Sequence, residues 1–429
     1  KKDIANTVDK ARDILLGDES AEQKLEKLTA IIHKAPEIDK ESLVDPEDDA
    51  SSHPKLAILC ETNGQALSVG KALYGRGDEA PSIPIEVAAG SPSKSVPAWV
   101  GATLGRFSAD LLTKNTFEKI YDLLYKKDTD LSERLGVPSF ERAWEMLALA
   151  AQSRRGQDSI SIATLRERLR WPDLLPDDEG VLRSSIEITT VHQSKGLEYD
   201  RVSIVREERD EARDAGERDD GGLLEEANVL FVALSRAGES FARLAGIKSN
   251  GLRKFTFGND QRVRWCDWWW YGKGCDVEIG LTGDVLAPSF VSKEHFSTSE
   301  EAGDSQAWLS RNADNIRGRK VVLVKRTMDD SNNKFIYDIH LQEDSKPARL
   351  LGSTRPQLTY DLLSVFKIFG KGKKFVLPAR IFNLRIADVI SMSGSGDQLT
   401  GVHEPWSKSG LWVGVRLHGL GYFKPRKRS

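Results

Sequence analysis

Residues 188–200, ITTVHQSKGLEYD, hold the side chains best suited to chemistry. A run of β-branched residues ends at Thr190. His192 and Lys195 then supply hydrogen-bond donors, and Ser194 and Gly196 keep the turn small enough for a phosphate or ribose to approach the backbone. On one side of such a turn Thr190 and His192 can bond a DNA phosphate; on the other, Glu198 can accept from a sugar hydroxyl. A second reactive group follows at Arg236, which closes the helical pattern of residues 225–237, EEANVLFVALSRA. An arginine displayed at a helix end beside a nucleotide stabilises charge on a transferring phosphoryl group. The competing reading gives Arg236 to nearby carbonyls, and a His-x-x-Lys-Gly turn taken alone matches many strand-to-helix turns.

These residues need strands and helices to hold them. Residues 185–190, SIEITT, alternate by two and read as a strand, and 201–205, RVSIV, supply another. Residues 55–60, KLAILC, form a short apolar run suited to a buried strand, followed by a helical pattern over 65–73. A helix pair is expected over 2–32, broken at Gly17-Asp18. Residues 225–237 read as a strongly amphipathic helix, and 241–246 close the unit. Between its two segments, 98–170 read as helices throughout, with Trp99, Phe107, Leu111, Leu112, Phe117, Ile120, Leu123, Leu124, Trp144, Leu147 and Leu149 as core. The charge run 206–220 reads as solvated surface. After Asn250, short β-rich runs at 319–325, 334–341, 374–377 and 411–417 predict a β-rich domain.

At 429 residues the chain is long enough for several cores, and its 39% hydrophobic and 30% charged residues fit a globular protein with no membrane span. The net charge of −3 hides an asymmetry. Residues 251–429 hold 28 Lys+Arg against 19 Asp+Glu, a net of +9, and subtraction from 62 and 65 leaves −12 for residues 1–250. A positive C-terminal part can steer a polyanion or simply be solvated. Three scattered cysteines and no basic-apolar leader point to the cytoplasm, with a Cys266–Cys275 pair or metal site as the less favoured alternative. The start at Lys1 reads as a fragment, a processed chain or one with residues upstream. For RWCDWWWYGKGC over 264–275, alternation of Trp268, Trp269, Trp270 and Tyr271 between core and edge is favoured over a base-stacking platform. The basic residues 424–428 read as a flexible tail.

TVHQSKGLEYD resembles motif V, and EEANVLFVALSRA motif VI, of the UvrD/Rep-like branch of superfamily 1 helicases. ILCETNGQA resembles their motif IV, and KDIANTVDKARDIL the helix after motif III. The resemblance implies an α/β fold: a RecA-like, P-loop NTPase-type second motor domain built from residues 1–75 and 184–250, a helical insertion over 76–183, and a β-rich basic accessory domain over 251–429. It implies Thr190 and His192 on DNA, Gly196, Glu198 and, loosely, Gln65 on the nucleotide, Arg236 at the γ-phosphate, and ATP with Mg²⁺ as cofactors.

Three departures stand out. No G-x-x-x-x-G-K-[ST] occurs, the nearest cluster, 370–373, lacking spacing and hydroxyl. Glu61 stands where motif IV carries an arginine near the γ-phosphate, and a carboxylate there repels a triphosphate. Ala227 and Asn228 replace an arginine pair of motif VI. The expected function is the C-terminal half of an ATP-dependent, 3′ to 5′ DNA helicase or translocase. Its N-terminal motor half comes from the same protein or a partner chain, its substrate is single-stranded DNA, and a nuclease partner in DNA repair or phage defence follows by analogy. The alternative is a non-catalytic, helicase-like module that recruits DNA or a protein.

Overall fold

The computed structural model describes residues 2–39, 43, 55–75, 84–88, 95–152, 158–171, 186–205, 220–245, 247, 252–257, 262–269, 274–329, 334–370 and 375–427. It is a mixed helix-and-strand structure. Helices α1 (Lys2–Leu16) and α2 (Ala21–His33) are the predicted pair. Ser20 starts α2 with a capping box: its hydroxyl accepts from the Gln23 backbone N–H while the Gln23 side chain accepts from the Ser20 N–H. Strands β1 (Glu37–Ile38) and β2 (Leu56–Cys60), helix α3 (Asn63–Leu73) and strand β3 (Ile85–Val87) follow. The intervening segment holds α4 (Ala98–Leu104), β4 (Leu111–Thr113), α5 (Lys114–Tyr121), α6 (Thr129–Leu135), α7 (Phe140–Ala150), β5 (Ser159–Ser161) and α8 (Ile162–Arg168). The chain then returns through β6 (Ile186–Thr190), β7 (Tyr199–Val205), α9 (Asp220–Leu234) and β8 (Ala237–Leu244).

Six of these strands form one sheet in the order β1-β8-β7-β2-β6-β3, with every pairing parallel. Both faces are covered. Ile58, Cys60, Ile186 and Ile188 pack with α3 on one face, and Ala57, Leu59, Val202 and Ile204 with α1, α2 and α9 on the other. A strand buried on both faces has no solvent side. β6 accordingly buries all but Glu187, in place of the alternation expected for 185–190.

Several expectations are corrected. β3 lies inside the segment assigned to the insertion yet pairs with β6. The insertion is not helical throughout, because β4 and β5 pair as a short antiparallel ribbon. Leu111, Leu123 and Leu149 are 59%, 64% and 54% exposed. In α7 the buried stripe runs through Ala143, Trp144, Met146, Leu147 and Ala150, and Leu149 falls beside it. Helix α9 ends at Leu234, so Arg236 lies in the turn before β8. It is apolar around most of its circumference, with Val229, Phe231 and Val232 half-buried beside the stripe Ala227, Leu230, Ala233, Leu234. The charge run 206–219 lies outside the described residues.

The C-terminal part contains β9 (Arg253–Phe257), β10 (Arg262–Trp268), β11 (Cys275–Glu278), α10 (Ser299–Arg311), β12 (Lys320–Asp329), β13 (Lys334–Glu343), β14 (Lys346–Ser353), α11 (Pro356–Gly370), β15 (Phe375–Val376), β16 (Arg380–Ser393), α12 (Trp406–Ser409), β17 (Leu411–His418), β18 (Leu420–Phe423) and β19 (Arg426–Lys427). Nine strands form an antiparallel sheet in the order β14-β13-β12-β16-β18-β11-β10-β9, with β17 also on β16. The β-rich texture is present; helices α10 and α11 carry no signal that the sequence reading used. Arg426–Lys427 pairs with β15, so the basic residues expected as a free tail are in part a strand, while Arg428 lies outside the described residues. Trp268 stacks on Phe369 at 5.4 Å, Trp269 packs on Tyr422 at 5.6 Å, and Trp270 and Tyr271 lie outside the described residues.

The insertion and the C-terminal part share one core, joining Trp99, Leu104 and Phe117 to Phe290, Trp406 and Trp412. The joint is tight. A Cβ on Gly101 would stand 2.5 Å from the Trp412 carbonyl oxygen, the Gly101 N–H donates to Ser391 Oγ at 2.6 Å, and Ser409 Oγ donates to Gly105 O at 2.8 Å. Among the described residues no helix is long and apolar enough to cross a membrane.

Candidate functional site

Strands β6 and β7 both run parallel to β2, so residues 191–198 must carry the chain from the C-terminal edge of the sheet back to its N-terminal edge. Register fixes the ends of that crossing. Thr190 is level with Cys60 at one edge, Arg201 with Leu56, and Tyr199 with Ala237 at the other. At ~3.3 Å per residue the two edges are roughly 20 Å apart. The quoted turn therefore divides its reactive residues between two places.

At the C-terminal edge Thr190 is buried. Its hydroxyl donates to Gln193 Oε1 at 3.0 Å and accepts from the Gln193 backbone N–H at 3.3 Å, while Gln193 Nε2 donates to Ala88 O at 3.0 Å beyond β3. Ser194 is buried and donates to Val191 O at 2.9 Å. These bonds hold the turn and leave His192 exposed. Gln193 was missed by the sequence reading, although its place inside the polar turn was the available signal.

Gln65, expected on the nucleotide, lies in the first turn of α3 at this same edge. It is buried, and its Oε1 accepts from the Glu61 N–H at 2.7 Å. Its residue type serves the start of the helix, where Thr62 Oγ1 also accepts from the Gln65 N–H at 3.1 Å. Glu61, expected to oppose the triphosphate, lines a cavity with Thr190 and His192. It stands at the end of the sheet remote from Arg236, because β2 runs parallel to β6.

At the N-terminal edge the structure brings Arg236 onto the crossing segment. Its Nη1 donates to Leu197 O at 2.9 Å, Nε to Val232 O at 3.3 Å and Nη2 to Ser235 Oγ at 3.1 Å, and its own carbonyl accepts from the Tyr199 N–H at 2.9 Å. Of the five guanidinium N–H groups, three are engaged among the described residues. Gly196, one residue from Leu197, has φ +83° and nothing within 4 Å of where a Cβ would stand. Glycine takes that left-handed conformation at little cost and leaves its surroundings open. Glu198 is exposed beside it.

A buttress missed by the sequence reading steadies the start of β7. The Tyr199 hydroxyl donates to Glu187 Oε1 at 2.9 Å, Lys55 Nζ bonds Glu187 at 2.7 Å and lies 5.1 Å from the Tyr199 ring centre, and the Lys55 N–H donates to Asp200 at 3.0 Å. Burial first, then the Glu187 charge, pushes the Tyr199 hydroxyl pKa far up, so it stays a donor. The signal was Glu187, a carboxylate inside an apolar strand.

No group of three metal-ligating side chains occurs among the described residues. Cys60, Cys266 and Cys275 are buried free thiols with no Cys266–Cys275 bond, and burial pushes the pKa of each up.

The sequence matches the family model of the UvrD-like helicase C-terminal domain over residues 115–241. That span begins inside the helical segment, and the likeness drawn over 1–75 is not part of it. A comparison with curated proteins finds no match for the chain. The matched domain suggests a helicase-family function and, in general, interaction with DNA. The turn bearing His192, Lys195 and Glu198, and the arginine that touches it from the end of α9, thus lie in a UvrD-like helicase C-terminal region.

Proposed function

We propose that the chain is the C-terminal half of an ATP-dependent UvrD-like DNA helicase or translocase. On this reading the parallel sheet is the RecA-like second motor domain, residues 95–171 belong to its insertion, and a motor half from further sequence or a partner chain supplies the P-loop. The observation that carries it is the contact of Arg236 with Leu197 O, which puts the guanidinium beside Gly196 and Glu198. The open space at Gly196, the exposed carboxylate of Glu198 and the two remaining guanidinium N–H groups fit a nucleotide. ATP would supply the phosphoryl group whose transfer drives movement. This chain's part is to place a positive fork at the cleft with Arg236, to accept from the sugar with Glu198, and to hold the DNA backbone about 20 Å away with Thr190 and His192. Mg²⁺ belongs with the motor half. Polarity of 3′ to 5′ and a nuclease partner rest on resemblance and analogy alone. The buried free thiols fit a reducing cytoplasm.

A specific observation favours the second reading, a helicase-like module without hydrolysis. Arg236 already bonds three protein atoms, as a structural arginine would. The two readings separate in one assay. In the protein completed by its motor half, Arg236→Ala is expected to lower DNA-stimulated ATP hydrolysis by about 10³ while DNA binding persists. Unchanged hydrolysis would return Arg236 to its carbonyl partners, and no DNA-stimulated hydrolysis by the completed parent protein would leave the module reading standing.

A further inference from the structure

A cavity of about 510 Å³ opens where the C-terminal edge of the parallel sheet meets the antiparallel sheet. Thr190, His192 and Gln193 line one side; Lys254, Trp265 and Glu278 line the other. Trp265 is paired with Lys254 across β10 and β9, so the two side chains leave the same face of the sheet. Their approach is built into the fold: a Cβ on Gly64, at the start of α3, would stand 2.5 Å from the Trp265 ring, so only glycine admits the tryptophan there.

His192 and Lys254 are exposed, and neither side chain has a hydrogen bond or ion pair among the described residues. Two uncommitted cationic or donor groups thus face one cleft from separate parts of the chain. Trp265 is half-buried between them. Behind it, Glu278 accepts from the Trp265 N–H at 3.0 Å, and burial pushes its carboxyl up to about 7, which removes part of its charge near neutrality. Glu61 remains as a carboxylate on the rim. The volume is on the scale of pockets that hold one small molecule, ~300 to 1,000 Å³, and is far too small for a double helix.

We propose that the β9–β10 pair of the C-terminal part forms the second wall of a single-stranded DNA path, with Lys254 on a phosphate and Trp265 beside a base, opposite Thr190 and His192. The proposal rests on the reading of Thr190 and His192 as DNA contacts, and gives residues 251–429 a share in the same site. The test is fluorescence anisotropy of the chain with a labelled oligothymidylate over a range of salt. Lys254→Ala and His192→Ala are each expected to weaken binding about fivefold at 0.1 M salt, and Lys254→Ala to lower the slope of log K on log salt by roughly 0.7, the share of one phosphate contact. Glu61→Gln is expected to tighten binding. Weakening by His192→Ala alone would overturn the shared wall and leave the sheet-edge reading intact. Weakening by Lys254→Ala alone would place binding on the C-terminal part by itself and also overturn the proposal. No response to either variant, or no binding by the chain, would remove both.

Discussion

In the parallel sheet β2 buries all five of its residues and every one is apolar, whereas in the antiparallel sheet β10 and β11 bury Arg264, Asp276 and Glu278 among their apolar residues. The first region keeps charge off its central strand: Glu187, on β6, is held by Tyr199 and Lys55, while His192, Lys195 and Glu198 lie exposed on the crossing segment. The second keeps charges inside and satisfies them there. Arg264 has no exposed surface; it bonds both Asp284 oxygens at 2.5 and 2.9 Å, Asp361 at 2.8 Å and Glu278 O at 2.9 Å. Burial alone would pull its pKa down, and the two aspartates more than reverse that. An exposed charge on the crossing segment is therefore a pointer to function, and a buried one in the antiparallel sheet a part of the scaffold.

That contrast breaks first at Arg264. Arg264→Met leaves the buried Asp361 without its ion-pair partner and Asp284 with Arg262 alone, and is expected to destabilise the protein by about 3–5 kcal/mol, read as a lower urea midpoint. A loss under ~1 kcal/mol would show that the buried charges are dispensable and the contrast superficial.

A smaller effect sharpens it at Glu278. Its folded pKa of about 7 lies above the ordinary carboxylate value, so the folded state holds a proton that the unfolded state has lost between roughly pH 4.5 and 7. Stability from this group falls as pH rises through that window. Glu278→Gln keeps an acceptor for the Trp265 N–H and removes the slope, and is expected to be roughly 2–3 kcal/mol more stable than the parent above pH 7, the two converging near pH 4. Parallel stability–pH curves would assign no such cost to Glu278.

The same contrast explains what could be read without coordinates. Strands β2, β6 and β7 and the α1–α2 pair were legible because apolar runs and turn residues agree locally, whereas β1 and β3 are too short to carry such a run. The turn after Thr190 was legible as a break in the strand because small and polar residues follow a β-branched run. What was not legible is which edge each residue reaches: Gln65 and Glu61 were grouped with Arg236, and only the parallel register shows them at the far end. The shared core of the insertion and the C-terminal part was also hidden. It depends on contacts such as Gly101 with Trp412, far apart in sequence, which no local pattern encodes.

The central claim is that residues 191–198 carry two separate functions to opposite edges of one sheet. The direct measurement is a paired titration of the completed protein, DNA affinity and steady-state ATP hydrolysis, for His192→Ala and Arg236→Ala. The account predicts that His192→Ala weakens DNA about fivefold and leaves hydrolysis at saturating DNA near that of the parent, while Arg236→Ala abolishes most hydrolysis and leaves DNA affinity within about twofold. Equal loss of both properties in both variants would contradict it, because side chains at a single shared site would then be acting together.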